Sequence, residues 1–174
     1  NGSSFYVHAL ADREKLSSLE ERMRAWAAKV GVKGGAPVDI KRGPLLAALF
    51  DDGSGLTWFR ARVLEYSADK TSVKVVYVDY GNTATLSKAQ LRPLDAALTA
   101  TPPLARPCEL AFAQAPGLDA DWGVEAAEHF HGLAWGRTLA MSVYSKGDSQ
   151  QVVLEYEQAG VAGDEKSGEP AEEP

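Results

Sequence analysis

The sequence predicts a mainly β fold with helices, in which a small, strongly bent barrel is inserted into a second, discontinuous β-rich unit. Three observations carry this. Residues 73–82, Val-Lys-Val-Val-Tyr-Val-Asp-Tyr-Gly-Asn, are a β-branched, alternating run that breaks in the turn chemistry of Asp79, Gly81 and Asn82. Two more strand-like runs precede it, residues 45–50 and 57–66, joined by Asp-Asp-Gly-Ser-Gly, and residues 83–86 return as a hairpin partner. Four short antiparallel strands so close together favour a bent barrel. Further β-prone segments lie on both sides of it, at residues 5–10 and beyond residue 107.

Taken in order, residues 5–10 read as a strand and Asp12 as the cap of a helix. Leu16, Leu19, Met23, Trp26 and Val30 then recur at spacings of 3, 4, 3 and 4 on one helical face, and Gly31 stops the helix. The opposite face mixes Glu20, Glu21, Arg22 and Arg24, with Glu20 and Arg24 spaced for a surface pair; such a mixture reads as a solvated face, not a nucleic-acid stripe. Residues 31–44 are a Gly- and Pro-broken connector. After the barrel, Ser87-Lys88-Ala89-Gln90 has capping-box spacing, and residues 95–107 read as a linker. A strand at 108–113 follows, then a helix capped by Asp119 or Asp121 with Trp122, Ala126, Phe130 and Leu133 or Ala134 on one side. Strands at 139–144 and 151–156 end the β-rich unit, and from residue 160 Gly, Glu and Pro dominate, a composition that predicts disorder. The expected division is residues 5–40 and 95–159 for the two parts of the outer unit, 41–94 for the barrel and 160–174 for an acidic tail.

Length and composition bound the function classes. A chain of 174 residues, 45% apolar, can bury one good core or two small ones. No apolar run reaches the roughly 18 residues of a membrane span, and the first residues show no basic and apolar signal pattern. Five acids against one lysine in residues 164–174 carry a net −4 of the total −6, so the remainder is only −2, a balance that argues against strong nucleic-acid affinity. The single Cys108, in a β-like run without ligand companions, reads as a buried structural thiol.

No HExxH, GxSxG, P-loop or CxxC motif occurs. His129 and His131 stand two apart on a predicted helix and so face different directions, and His8 is isolated in the first strand. No catalytic residue, metal site or cofactor is therefore expected. The aromatic residues of the barrel are the remaining candidates, although rings in so small a barrel are ordinarily its core. Strict alternation sets Tyr77 and Tyr80 on opposite faces, and Trp58, Arg60 and Arg62 on the face opposite Phe59, with Asp79 a candidate partner for one arginine.

Phe50, the string Trp58-Phe59-Arg60-Ala61-Arg62-Val63 and the string Tyr77-Val78-Asp79-Tyr80-Gly81-Asn82 resemble the signature of Tudor domains, in the form found in extended Tudor domains. Phe5-Tyr6-Val7 with the following helix, and the strand and helix pattern from residue 107, resemble the split staphylococcal-nuclease-like half around such a core; the Tudor staphylococcal nuclease family is the nearest likeness. The resemblance implies an SH3-like barrel inserted into an OB-fold half. That half looks incomplete, lacking the family's first strand and terminal helix, as an excised fragment or a truncated copy would. It further implies an aromatic cage at Phe50, Phe59, Tyr77 and Tyr80, with Asn82 as its polar member and a bend at residues 79–81 that unites Tyr77 and Tyr80. Phe59 stands where relatives often carry Tyr. Such a cage suits a methylated guanidinium, which stacks on ring faces and is cheaper to desolvate than the unmethylated group. Asp51, Asp52 and Asp79 are expected to add a favourable potential at its rim.

The expected function is a non-catalytic reader of symmetrically dimethylated arginine in Arg/Gly-rich peptides of RNA-processing or Argonaute/PIWI-type proteins. The expected setting is cytoplasmic, RNA granules included, or nuclear. The alternative is an RNA-binding or residual nuclease module in an RNA-regulating protein.

Overall fold

The computed structural model describes residues 4–31, 43–69, 71–113 and 123–156. Its strands are β1 (Ser4–Val7), β2 (Leu46–Asp51), β3 (Leu56–Tyr66), β4 (Ser72–Tyr77), β5 (Thr83–Ser87), β6 (Leu91–Pro93), β7 (Arg106–Leu110), β8 (Ala140–Ser145) and β9 (Gln150–Glu155). Its helices are α1 (Arg13–Val30), α2 (Ala96–Thr99) and α3 (Gly123–Ala134). Two sheets result, one ordered β5-β4-β3-β2-β6 and the other β1-β7-β9-β8.

The five-stranded sheet is antiparallel throughout and is built on the 11-residue β3, whose pairing with β4 shifts register between Val63 and Glu65. Such a bulge sharpens the local twist that a small barrel needs. Alternation sorts the side chains cleanly. Leu46 and Ala48 of β2, Ala61 and Val63 of β3, and Val73, Val75 and Tyr77 of β4 fill the barrel, closed by Leu86 and Leu91. Ala47, Leu49 and Trp58 point the other way, into a second core with Leu19, Met23 and Trp26 of α1 and with Leu98 and Leu104. β2 is thus buried on both faces, which accounts for its nearly unbroken apolar run.

α1 shows the face its spacing predicts, with Leu19, Met23 and Trp26 buried and Leu16 and Val30 at the margin. Gly31, at φ +68°, ends it, its N–H donating to the Ala27 carbonyl. Trp58 meets Trp26 edge-on at 6.1 Å and donates its indole N–H to the Gly31 carbonyl at 2.8 Å, so it does point away from Phe59 and brace the helix. Asp12 departs from its expected capping role: its carboxylate is taken by Lys15 at 2.8 Å and by Arg106 at 2.7 Å, tying the helix start to β7.

The second sheet joins chain segments from either side of the barrel. β1 pairs antiparallel with β7, β7 runs parallel to β9, and β8 pairs antiparallel with β9. Cys108 and Val152 are fully buried in it, and burial raises the Cys108 thiol above its ordinary range. α3 contributes Phe130, which packs on Phe5 with ring centres 4.9 Å apart. The first strand is shorter than expected, because the chain turns into a 3₁₀ segment at Leu10–Asp12. Two elements were not foreseen: β6, whose Pro93 pairs with Leu46 of β2, and α2, within the stretch expected to be linker. The capping-box turn at Lys88–Gln90 is present. The alternative cap candidates Asp119 and Asp121, together with Trp122, most of the connector and the acidic tail, lie outside the described residues.

Candidate functional site: an aromatic cluster at the barrel rim

The cluster is assembled by three strands and one turn. Phe50 lies near the end of β2 and Phe59 lies in β3, while Tyr77 is the last residue of β4. There the chain turns tightly: Tyr80 N–H and Gly81 N–H both donate to the Tyr77 carbonyl, at 3.1 and 2.7 Å, and Tyr77 N–H donates to the Asn82 carbonyl at 2.9 Å. This turn breaks the alternation that would have set Tyr77 and Tyr80 on opposite faces. Gly81 makes it possible, holding φ +90° in a place where a Cβ would lie 2.1 Å from the Tyr6 ring.

The four rings form one contiguous group. Phe59 touches the other three, at centroid distances of 6.0 Å to Phe50, 6.2 Å to Tyr77 and 5.4 Å to Tyr80, and at interplanar angles of 80°, 82° and 90°. Phe50 and Tyr77 meet at 5.0 Å and 62°. Near-perpendicular neighbours place the positive edge of one ring on the negative face of the next. Phe50, Phe59 and Tyr80 are half-buried, whereas Tyr77 is only 1% exposed and donates its hydroxyl to the Leu49 carbonyl at 2.6 Å. Burial pushes the Tyr77 phenol up to about 12. Tyr77 thus belongs to the barrel core, and the other three rings lie partly open at its rim. Asn82 is exposed beside the turn.

The turn is locked from beneath by Arg60 and Asp79. Their side chains are 0% and 4% exposed, and the contact is bidentate, with Nε to Oδ2 at 2.8 Å and Nη2 to Oδ1 at 2.6 Å. The remaining guanidinium N–H groups donate to the carbonyls of Leu98 at 2.9 Å, Thr101 at 2.5 Å and Pro102 at 3.0 Å, which accounts for all five donors. Asp79 also accepts the Leu104 N–H at 3.2 Å. Asp79 is therefore not at the rim, as its sequence position suggested, but a neutralised strut. Of the expected acidic rim, Asp51 at the end of β2 and Asp52 in the turn that follows are exposed, and Asp51 accepts the Gly53 N–H. Hydrogen bonds from Ser54 lower the Asp52 carboxyl.

Two contacts at the cluster had no legible sequence signal, because they join residues 60 and 71 positions apart. The Tyr80 hydroxyl donates to Glu20 Oε1 on α1 at 2.7 Å. His8 Nε2 lies 2.6 Å from the Asp79 carbonyl, so that nitrogen carries the proton, and its ring stands edge-on to Tyr80 at 6.3 Å. Burial, reinforced by the Glu20 hydrogen bond, raises the Tyr80 phenol and keeps it a neutral donor. His129 and His131 are exposed on α3, and His131 stacks on Trp135. Among the described residues no three His, Cys, Asp or Glu side chains are grouped to hold a metal, and no helix is long and apolar enough to cross a membrane.

Comparison with known proteins agrees with this architecture. The family model of the Tudor domain matches residues 1–112. Ribonuclease TUDOR 1 of Arabidopsis thaliana is 33% identical over 147 residues, which are 78% of this chain and 14% of that protein, so the chain spans about a seventh of the relative's length. The human TDRD1 extended Tudor domain, solved in complex with a symmetrically dimethylated peptide, superposes with a TM-score of 0.76 at 27% identity, covering 92% of this chain and 78% of that one. The extended Tudor domain TD3 of mouse TDRD1, solved with a MILI peptide containing dimethylarginine, gives 0.74 at 27% identity over 88% and 76%. The extended Tudor domain of Drosophila melanogaster Tudor-SN shares the fold, with a TM-score of 0.75 at 23% identity over 91% and 73%. The chain belongs to the Tudor domain family, and its two-sheet architecture is that of an extended Tudor domain.

Proposed function

We propose that the chain is a non-catalytic reader module that binds symmetrically dimethylated arginine in Arg/Gly-rich peptides. Phe50, Phe59, Tyr77 and Tyr80 form its cage, and Asn82 is the polar member. The observation that carries this reading is the convergence of three rings, Phe50, Tyr77 and Tyr80, on Phe59 at the barrel rim, with Phe50, Phe59 and Tyr80 half-buried and so reachable. Perpendicular walls suit a flat cation, which stacks on one ring face while its edges meet another. Methylation lowers the cost of desolvating the guanidinium and leaves fewer N–H donors, one of which the Asn82 side-chain carbonyl accepts. Two TDRD1 domains at 27% identity were solved with dimethylated peptides, which supports the same ligand class here and, from the MILI peptide, a PIWI-type partner. The name of the Arabidopsis relative does not extend to this chain, which matches only 14% of it. Partners of this kind place the module among RNA-processing proteins of the cytoplasm, RNA granules included, or of the nucleus.

Stacking contributes about 0.5 to 2 kcal/mol per well-placed ring, and ordering a flexible peptide offsets part of it. Dissociation constants between about 10 μM and about 1 mM are expected, or about −7 to −4 kcal/mol. Calorimetric titration with matched symmetrically dimethylated, asymmetrically dimethylated and unmethylated Arg-Gly peptides is the test. The symmetric form should bind most tightly, and equal affinity for the methylated and unmethylated peptides would overturn the proposal.

A further inference from the structure

We infer that Glu20, on α1 and outside the barrel, is a positioning residue for the cage: its carboxylate holds the Tyr80 hydroxyl and thereby sets the plane of the fourth wall. The inference rests on the reader function proposed above. Tyr77, the other hydroxyl-bearing ring, is anchored within the barrel, through the Leu49 carbonyl and complete burial. Phe50 and Phe59 project from paired strands whose register fixes them. Tyr80 differs in both respects. It projects from the turn after β4, it is half-buried, and its hydroxyl leaves the barrel to reach Glu20 Oε1 at 2.7 Å.

Glu20 is well placed for the task. It follows Leu19, and Leu19, Met23 and Trp26 pin α1 against Ala47, Leu49 and Trp58, so the backbone that carries the carboxylate cannot drift. Its second oxygen, Oε2, lies 3.9 Å from Arg24 Nη2 one helical turn on, which steadies the carboxylate without competing for Oε1. Tyr80 is then held at three points: perpendicular to Phe59 at 5.4 Å, edge-on to His8 at 6.3 Å, and at its hydroxyl by α1. A ring fixed before the ligand arrives loses less freedom on binding, so the helix supplies preorganisation that the barrel alone lacks. α1 thereby becomes part of the reading device as well as packing for the barrel.

The test is a cycle of E20A, E20Q, Y80F and the E20A/Y80F double variant, in the full chain, titrated with the symmetrically dimethylated Arg-Gly peptide. Circular dichroism and thermal midpoint verify that each variant is folded. Loss of one positioning hydrogen bond should weaken binding about three- to tenfold in E20A and in Y80F, with the double variant no weaker than either single. E20Q keeps an acceptor oxygen while losing the charge, and should recover wild-type affinity to within about twofold. Wild-type affinity in E20A, effects that multiply in the double variant, or an E20Q as weak as E20A would each overturn the inference while leaving the reader function standing. If the wild-type chain fails to prefer the methylated peptide, the reader function itself fails. The ring signals of Tyr80 in an aromatic NMR spectrum then decide the positioning role: they should shift in E20A and return in E20Q, and unchanged signals in E20A would refute it.

Discussion

At the scale of the residue, burial separates members of the proposed cage that sequence alone treats as equivalent. Tyr80 is half-buried at the rim, so Tyr80→Ala should lower peptide affinity by at least about 1 kcal/mol while the circular dichroism spectrum stays native. Asn82→Ala should lose a charge-assisted hydrogen bond of about 1.5 to 3 kcal/mol, again without unfolding, because Asn82 is exposed. Unfolding of Tyr80→Ala, with unchanged affinity in the folded fraction, would identify that ring as core. Arg60 behaves oppositely. Arg60→Ala leaves the Asp79 carboxylate buried at 4% exposure with only the Leu104 N–H, so a loss of about 3 to 5 kcal/mol is expected in urea denaturation. A loss below about 1 kcal/mol would show that the pair is not the strut of the turn.

At the scale of the element, α1 carries two loads. Its apolar face closes the second core, and Trp26 packs edge-on against Trp58 at 6.1 Å. Trp26→Ala should therefore cost about 3 to 5 kcal/mol of global stability, read from the denaturation midpoint at constant slope. The start of the same helix is tied to β7 through Asp12. Hydrogen bonds from Lys15 and Arg106 hold that carboxyl below its ordinary 3.8. A depressed folded value means that the contribution is fully present above about pH 4 to 5 and is lost as pH falls through the lowered value. Asp12→Asn should accordingly be less stable than wild type near neutrality. The gap should close as the medium is acidified, and a gap independent of pH would refute the assignment.

At the scale of the whole molecule, the second sheet is stitched from both sides of the barrel, and the Arg60–Asp79 pair with residues 98–104 lies where the two meet. On the reader function proposed above, the outer half has a supporting role and no chemistry of its own. The purified chain should leave labelled single-stranded RNA and DNA intact in the presence of calcium or magnesium. Metal-dependent cleavage that persisted through repurification would contradict the non-catalytic reading.

The sequence by itself determined what depends on periodicity and local chemistry. The strands around residues 46–87, the buried face of α1, the stop at Gly31, the outward turn of Trp58 and the expectation of an Arg–Asp brace all follow from alternation, helical spacing and glycine's access to positive φ. The family likeness named the residues of the expected cage, which alternation alone would have scattered. Only the tertiary structure decided how the hydrogen-bonded turn after Tyr77 is built, that Tyr77 is buried in the barrel core while Tyr80 stays half-open, and that Asp79 is an internal strut. It also decided that Glu20 and His8 reach the cluster across 60 and 71 residues. β6 and α2 escaped for a related reason: three or four residues are too few to display a period, and their pairing and packing partners lie far away in the chain. Contacts of that kind leave no mark on local spacing, because what selects them is the geometry of surfaces that exist only once the chain has folded.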